Sequence, residues 1–161
     1  METVTSYAEW VYECPDSDID LLRELMSYEV QCPHSMKLAR EKGILKQTFD
    51  MSTLHWSRQT EWPWVIRNAF LEPHHVVLDI GGSWAVLKFA LAKRCHTVIS
   101  IDNLKDSVVA AQETVDKLQV RNIACIKGEA KALDYPDKTF DRVFSVSVFE
   151  HFPDGHMKAI E

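Results

Sequence analysis

The stretch His75-Val76-Val77-Leu78-Asp79-Ile80-Gly81-Gly82 decides the fold. A short apolar run ends on two glycines, the pattern of a buried strand entering a tight turn. Ser83 can cap a helix beyond it, with Val86, Leu87, Ala90 and Leu91 as the apolar face and Lys93-Arg94 at the basic end. The alternation repeats in Thr97-Val98-Ile99-Ser100-Ile101-Asp102, a second strand. Leu104, Val108, Ala111, Val115 and Leu118 then recur at helical spacing. A third strand follows over 122–127, and a loop through Tyr135-Pro136-Asp137 leads to a fourth. Strands at 75–80, 97–102, 122–127 and 140–146 predict an open, doubly wound α/β sheet. Its strands are parallel, in the order 3-2-1-4, with right-handed crossovers and helices on both faces.

Upstream the texture changes. Asp16, Ser17 or Asp18 can cap a helix that places Ile19, Leu22, Met26 and Val30 on one face. A second helix is expected from near Pro33 to Gly43, and a third from Thr60 or Glu61, with Pro63 in its first turn. Residues 1–72 therefore read as an N-terminal helical cap and 73–161 as the α/β core. Of Trp10, Trp56, Trp62, Trp64 and Trp84, the pair Trp62 and Trp64 is expected to pack helices on the sheet; stacking on an aromatic acceptor or a base is the other reading.

Composition bounds the function. The 161 residues are 46% hydrophobic and 26% charged, with five Gly and six Pro, so the chain is neither disordered nor collagen-like. No apolar run approaches the roughly 20 residues that span a bilayer. A net charge of -6 argues against a general grip on nucleic acid or anionic lipid. The first 20 residues are acidic and lack an apolar core, so they do not read as a secretory signal, and a cytoplasmic protein is expected. Cys14, Cys32, Cys95 and Cys125 form no C-x-x-C pair and read as reduced thiols. A metal site of Cys14, Cys32 and His34 lacks a second spaced pair, and His74-His75 and His151 with His156 lack the spacing of a helical metal pair. No metal is expected, and those histidines read as solvated.

In an open parallel sheet, ligands bind beyond the carboxyl ends of the strands. Three such ends carry suitable residues. Asp79-Ile80-Gly81-Gly82-Ser83 offers a tight turn before a helix N-terminus. Asp102, with Asn103 beside it, offers a carboxylate to a pair of ribose hydroxyls. Gly128-Glu129-Ala130 offers a carboxylate to an exocyclic amine and a backbone N–H to a ring nitrogen. Together they describe a pocket for an adenosine.

These residues carry a family resemblance. Val77-Leu78-Asp79-Ile80-Gly81-Gly82, Ile101-Asp102, Gly128-Glu129-Ala130 and the run from Phe140-Asp141 through Ser145-Val146-Ser147-Val148 to Glu150-His151 resemble a class I S-adenosylmethionine-dependent methyltransferase of Rossmann-like fold. Leu133-Asp134-Tyr135-Pro136 before Phe140-Asp141 resembles the Leu-Pro-Phe stretch that precedes strand four in that family. The resemblance covers 76–152, about half the chain. It implies S-adenosylmethionine as cofactor, with Asp79, Gly81, Gly82 and Ser83 against its methionine portion. It also implies Asp102 and Asn103 at the ribose, Glu129 and Ala130 at the adenine, and Ser145 with the residues after it on the floor near the sulfonium. His151 is a candidate general base or, equally, a residue that starts a helix. Arg58 and Arg67 are candidate partners of the cofactor carboxylate or surface charges. The acceptor is expected to be a small molecule, because the Asn/Asp-Pro-Pro-Tyr run of enzymes that methylate amino groups is absent.

Two departures stand out. Ser83 and Ala85 occupy positions where the family has glycines, with Trp84 between them. The family's sheet has seven strands, whereas Glu161 falls inside the helix expected after strand four. The expectation is therefore an N-terminal portion of a longer protein, with strand four as an unprotected edge and no turnover from this portion alone. Two other functions compete. A nicotinamide-dependent oxidoreductase needs G-x-G-x-x-G, which Gly81-Gly82-Ser83-Trp84-Ala85-Val86 does not supply. A non-catalytic or incomplete nucleotide-binding domain is the other alternative.

Overall fold

The structure, a computed structural model, describes residues 16–31, 56–82 and 85–152. Two helices, α1 (Asp16–Gln31) and α2 (Trp56–Asn68), precede β1 (Val76–Ile80), α3 (Leu87–Ala92), β2 (Thr97–Asp102), α4 (Lys105–Lys117), β3 (Ile123–Lys127) and β4 (Arg142–Ser145). A 3₁₀ turn at Phe149–His151 follows. The sheet order is β3-β2-β1-β4, all pairings parallel, as the alternation of elements predicts. The second helix expected from the sequence, near Pro33 to Gly43, lies outside the described residues.

Register sorts the side chains onto two faces. Val77, Val98 and Ile123 share one face and join Leu87, Ala90, Leu91 and Val115 of α3 and α4 in a single core. Leu25 of α1 and Trp62 and Ile66 of α2 belong to that same core. The opposite face gathers Leu78, Ile80 and Ile101 under Ala130 and Phe140. Among the described residues that second cluster draws on no helix; the helix expected after β4 lies outside the described residues. The connection from β3 to β4 is irregular through Pro136, and it covers the sheet with side chains from loops.

Several helix details differ from the sequence reading. The α1 residues that pack are Leu21, Leu25 and Tyr28, with Tyr28 stacked on Phe89 at 5.2 Å. The expected stripe was Ile19, Leu22, Met26 and Val30; Leu22 is half-buried, and the side chains of the other three lie outside the described residues. Helix α2 begins at Trp56, so Pro63 lies in its interior; burial of Trp62, Pro63 and Ile66 offsets the backbone bond that proline forfeits. Trp64, expected to pack, is 58% exposed. Helix α3 starts at Leu87 after Val86 with no side-chain cap, so Ser83 is too early to cap it. Helix α4 buries Ser107, Ala110, Ala111, Thr114 and Val115; of the expected stripe Ala111 and Val115 are buried, Leu118 packs half-buried against the core, and Leu104 is exposed. Small residues bring α4 close to the sheet, and Thr114 Oγ1 donates to Ala110 O at 2.9 Å. His75 is buried, not solvated, because its Nδ1 accepts from Glu72 N–H at 3.1 Å.

Candidate functional site

The β1–β2 register sets Asp79 opposite Ser100, and Ser100 Oγ donates to Asp79 Oδ2 at 2.9 Å. The chain then turns sharply. Gly81 adopts φ +69°, and a Cβ there would strike the Val148 side chain. A Cβ on Gly82 would strike the Asp79 carboxylate and Ser100 Oγ. Both positions thus require glycine, for conformation and close approach. The N–H groups of Gly81 and Gly82 both donate to Ile101 O, at 2.8 and 3.2 Å, tying the turn to the end of β2. Gly128 N–H donates to Asp102 O at 3.0 Å and ties in the end of β3.

These ties gather the strand ends around one cleft of about 260 Å³. Gly81, Asp102, Asn103, Glu129, Ala130 and His151, all expected at the site, line it. Leu104, Ser147, Val148 and Phe152, which the sequence reading did not single out individually, complete the wall with Ile80 and Ile101. Asp79 and Gly82 are buried behind the cleft, not on its surface. Ser145 does not line it either: its Oγ is buried with no hydrogen-bond partner, and the wall after β4 begins at Ser147. Ser145 pairs with Ile80 in the register of β4 with β1. Ser83 lies outside the described residues. Arg58 reaches the cleft's edge: it donates to Ser147 Oγ at 2.5 Å and pairs with Glu61. Arg67 is exposed.

Electrostatics distinguish the two strand-end carboxylates. Burial pushes the Asp79 pKa up, opposed by the charge of Lys88 and the Ser100 hydrogen bond, while Asp102 raises it further. Burial also raises Asp102, opposed by the Leu104 N–H that donates to its Oδ1 at 2.9 Å. That backbone bond fixes the carboxylate on the cleft wall. Lys88 is the residue that sequence reading missed. Its signal was a lysine inside the apolar run Val86-Leu87-Lys88-Phe89-Ala90-Leu91.

Glu72, His74 and His75 bring possible ligand atoms within 4.8 Å of one another at the far end of β1. His75 Nδ1 already accepts a hydrogen bond, so its proton sits on Nε2 and neither nitrogen presents a lone pair to a cation. A ligating histidine carries the reverse arrangement, with the second nitrogen donating.

A family model described as a methyltransferase domain matches residues 77–161, more than half of the chain. The chain belongs to the methyltransferase domain family. Its fold is the Rossmann-like fold of class I enzymes, and membership implies S-adenosylmethionine as cofactor. The donor set fits that group: a fixed carboxylate at Asp102 for paired hydroxyls, Glu129 and Ala130 alongside, and apolar walls at Ile80, Ile101 and Val148 for flat rings. An uncharacterized methyltransferase, YcgJ of Bacillus subtilis, is 29% identical over 90 residues, covering 56% of this chain and 36% of that protein. A rice chloroplast 2-methyl-6-phytyl-1,4-hydroquinone methyltransferase is 29% identical over 106 residues, covering 62% of this chain and 30% of that one. Other relatives are named for ribosomal RNA and for protein L-isoaspartate. This methyltransferase-family chain thus matches only about a third of its relatives' lengths. Among solved structures, the PH0226 protein of Pyrococcus horikoshii superposes with a TM-score of 0.56 at 22% identity, covering 70% of this chain and 53% of that one, and shares the fold. No helix of the described residues is long and apolar enough to cross a membrane.

Proposed function

We propose that the protein transfers a methyl group from S-adenosylmethionine to a small-molecule acceptor. The observation that carries this reading is the convergence of Gly81, Asp102, Glu129 and Ala130 on one cleft at the carboxyl ends of β1, β2 and β3. Asp102 accepts the ribose hydroxyls, with Asn103 beside it, and Glu129 and Ala130 meet the adenine edge. Gly81 and Gly82, with Ser83 and the buried Asp79, shape the turn beside the methionine portion. Of Ser145 and the residues after it, Ser147 and Val148 would form the floor near the sulfonium. When bound, the cofactor would supply an electrophilic methyl carbon that an acceptor nucleophile attacks in line, the C–S bond breaking and its electron pair leaving with the sulfur of S-adenosylhomocysteine. The chain contributes orientation and exclusion of water through Leu104, Val148 and Phe152, with no covalent enzyme intermediate. His151 is exposed and lines the cleft; in this reading it would take the acceptor's proton.

A small acceptor is favoured by the net charge of -6 and by Ser145-Val146-Ser147-Val148 after the fourth strand's start, in place of a Pro-Pro-Tyr run. Residues 1–72 would form a helical cap over this site: Arg58 and Glu61 of α2 already meet Ser147 at its edge. Reduced cysteines fit a cytoplasmic setting, since burial pushes the Cys95 thiol up to about 11 and keeps it unreactive.

The test is calorimetry with S-adenosylhomocysteine on wild type and Asp102→Ala. Charge-assisted hydrogen bonds contribute about 1.5–3 kcal/mol each. The affinity should therefore fall by roughly tenfold or more. Equal affinity in the two proteins removes Asp102 from the site.

A further inference from the structure

Lys88, the second residue of α3, lies between Leu87 and Phe89, and it is 1% exposed. An ammonium so placed is costly unless hydrogen bonds and an opposite charge meet it. Lys88 has both. Its Nζ donates to Gly82 O at 3.0 Å and also to Ala85 O. Its charge acts on Asp79, directly behind the turn, and on Asp102 at the cleft wall.

The two carbonyls it holds bracket the turn after β1. Ala85 N–H closes that turn onto Gly82 O at 2.9 Å, and no side chain caps α3 beyond it. On the sheet side, the Gly81 and Gly82 amides are tied to Ile101 O. On the helix side, the ammonium of Lys88 links both ends of the turn. Ala85 stands where the resemblance leads one to expect a glycine, and an internal cation bonds the carbonyls of Gly82 and Ala85.

We propose that Lys88 is a positioning residue for the donor site: by holding the carbonyls of Gly82 and Ala85, it keeps the loop after β1 in the shape that admits the methyl donor, without touching the donor itself. The loop-holding half stands on the hydrogen bonds alone; the donor half rests on the functional reading above. A mere core filler would behave differently. Replacing a buried ion by an apolar side chain of similar volume is often neutral or stabilising, so a filler role leaves both loop and affinity intact in a methionine variant.

The experiment uses Lys88→Met and Lys88→Gln in the 161-residue chain, with two readouts. Amide hydrogen exchange should speed up at least tenfold at Ala85 and Phe89 in Lys88→Met, while Leu78 and Ile80 in β1 keep their protection. Affinity for S-adenosylhomocysteine should fall at least tenfold. Lys88→Gln, which keeps a donating N–H, should recover part of both; should the methionine variant fail to fold, the glutamine variant against wild type gives the same comparison. Unchanged loop exchange overturns the proposal. So does an equal rise across β1, which means general destabilisation. Faster loop exchange with unchanged affinity overturns the donor half. If wild type does not bind S-adenosylhomocysteine while the loop still responds to Lys88, the functional reading fails and the loop-holding half stands.

Discussion

At the scale of single residues, the site is shaped by what its neighbours leave room for. Gly82 faces the Asp79 carboxylate and Ser100 Oγ with no space for a methyl group. Gly82→Ala should therefore force the Asp79–Ser100 pair apart, and overpacking of this kind costs about 1–3 kcal/mol. Urea unfolding checks it, as a lower midpoint with an unchanged slope. Asp102 supports a second prediction. Its pKa is raised by burial against the pull of the Leu104 N–H. A carboxylate that accepts hydroxyls binds best when ionised, so affinity for S-adenosylhomocysteine should weaken as pH falls. Because the pKa is raised, the weakening begins above the ordinary aspartate value of 3.8. Asp102→Asn should remove that limb of the profile, which calorimetry across pH 4–7 measures.

At the scale of elements, two polar fasteners hold helix and strand to the sheet. Arg94 donates to both carboxylate oxygens of Glu24, at 2.9 and 2.7 Å, and joins α1 to the end of α3. Burial raises the Glu24 pKa, but the hydrogen bond and charge of Arg94 outweigh it and hold the group low. Arg94→Ala leaves that half-buried acceptor only the longer ion pair to Lys93 at 3.6 Å, a loss of about 1–3 kcal/mol in unfolding free energy. Asp141 fastens the start of β1: its Oδ2 accepts from Val76 N–H at 2.7 Å, and its own N–H donates to Val76 O. The Val76 bond lowers the Asp141 pKa. The stability this contributes is present above the unfolded value of 3.8 and is lost as pH falls through the lower folded value. Asp141→Asn should lower Tm at neutral pH and flatten the acid side of the Tm profile below about pH 4.

How far the sequence foretells these elements depends on what holds each one. Strands β1 to β3 were legible within a residue because continuous apolar runs end in Gly or Asp, and β1 is buried along nearly its whole length. The stripe of α4 was legible in part, since Ala111 and Val115 are buried as expected, but close approach to the sheet also buries Ser107, Ala110 and Thr114; of the α1 stripe only Leu22 has a described side chain. Periodicity counts hydrophobicity, whereas close helix–sheet approach rewards small side chains. The cleft's carboxylates were legible because they end strands. Ser147, Val148 and Lys88 were less so: the first two depend on where β4 stops, and Lys88 on a fold that hides an ammonium beneath a turn. Of Ser145 and the residues after it, Ser147 and Val148 are the ones that line the cleft.

At the scale of the whole molecule, the described residues cover the two faces of the sheet unevenly. One face carries α1, α2, α3 and α4. On the other, Val143 of the outer strand β4 is 55% exposed, and Ile126 of the opposite outer strand β3 is also exposed. An exposed apolar outer strand invites pairing between chains. The 161-residue chain should accordingly self-associate with rising concentration, and Val143→Lys should shift it toward monomer in sedimentation velocity. Identical profiles for the two proteins would show that β4 is not the surface responsible. The cleft lies at the ends of the strands and not on either face, so it should keep its shape in both proteins.

The most direct test of the account is a backbone NMR titration of this chain with S-adenosylhomocysteine, with NAD as control. The account predicts saturable shifts centred on Gly81, Asp102, Asn103, Leu104, Gly128, Glu129 and Ala130, and none of comparable size with NAD. Shifts centred elsewhere, or an equal response to NAD, would contradict it.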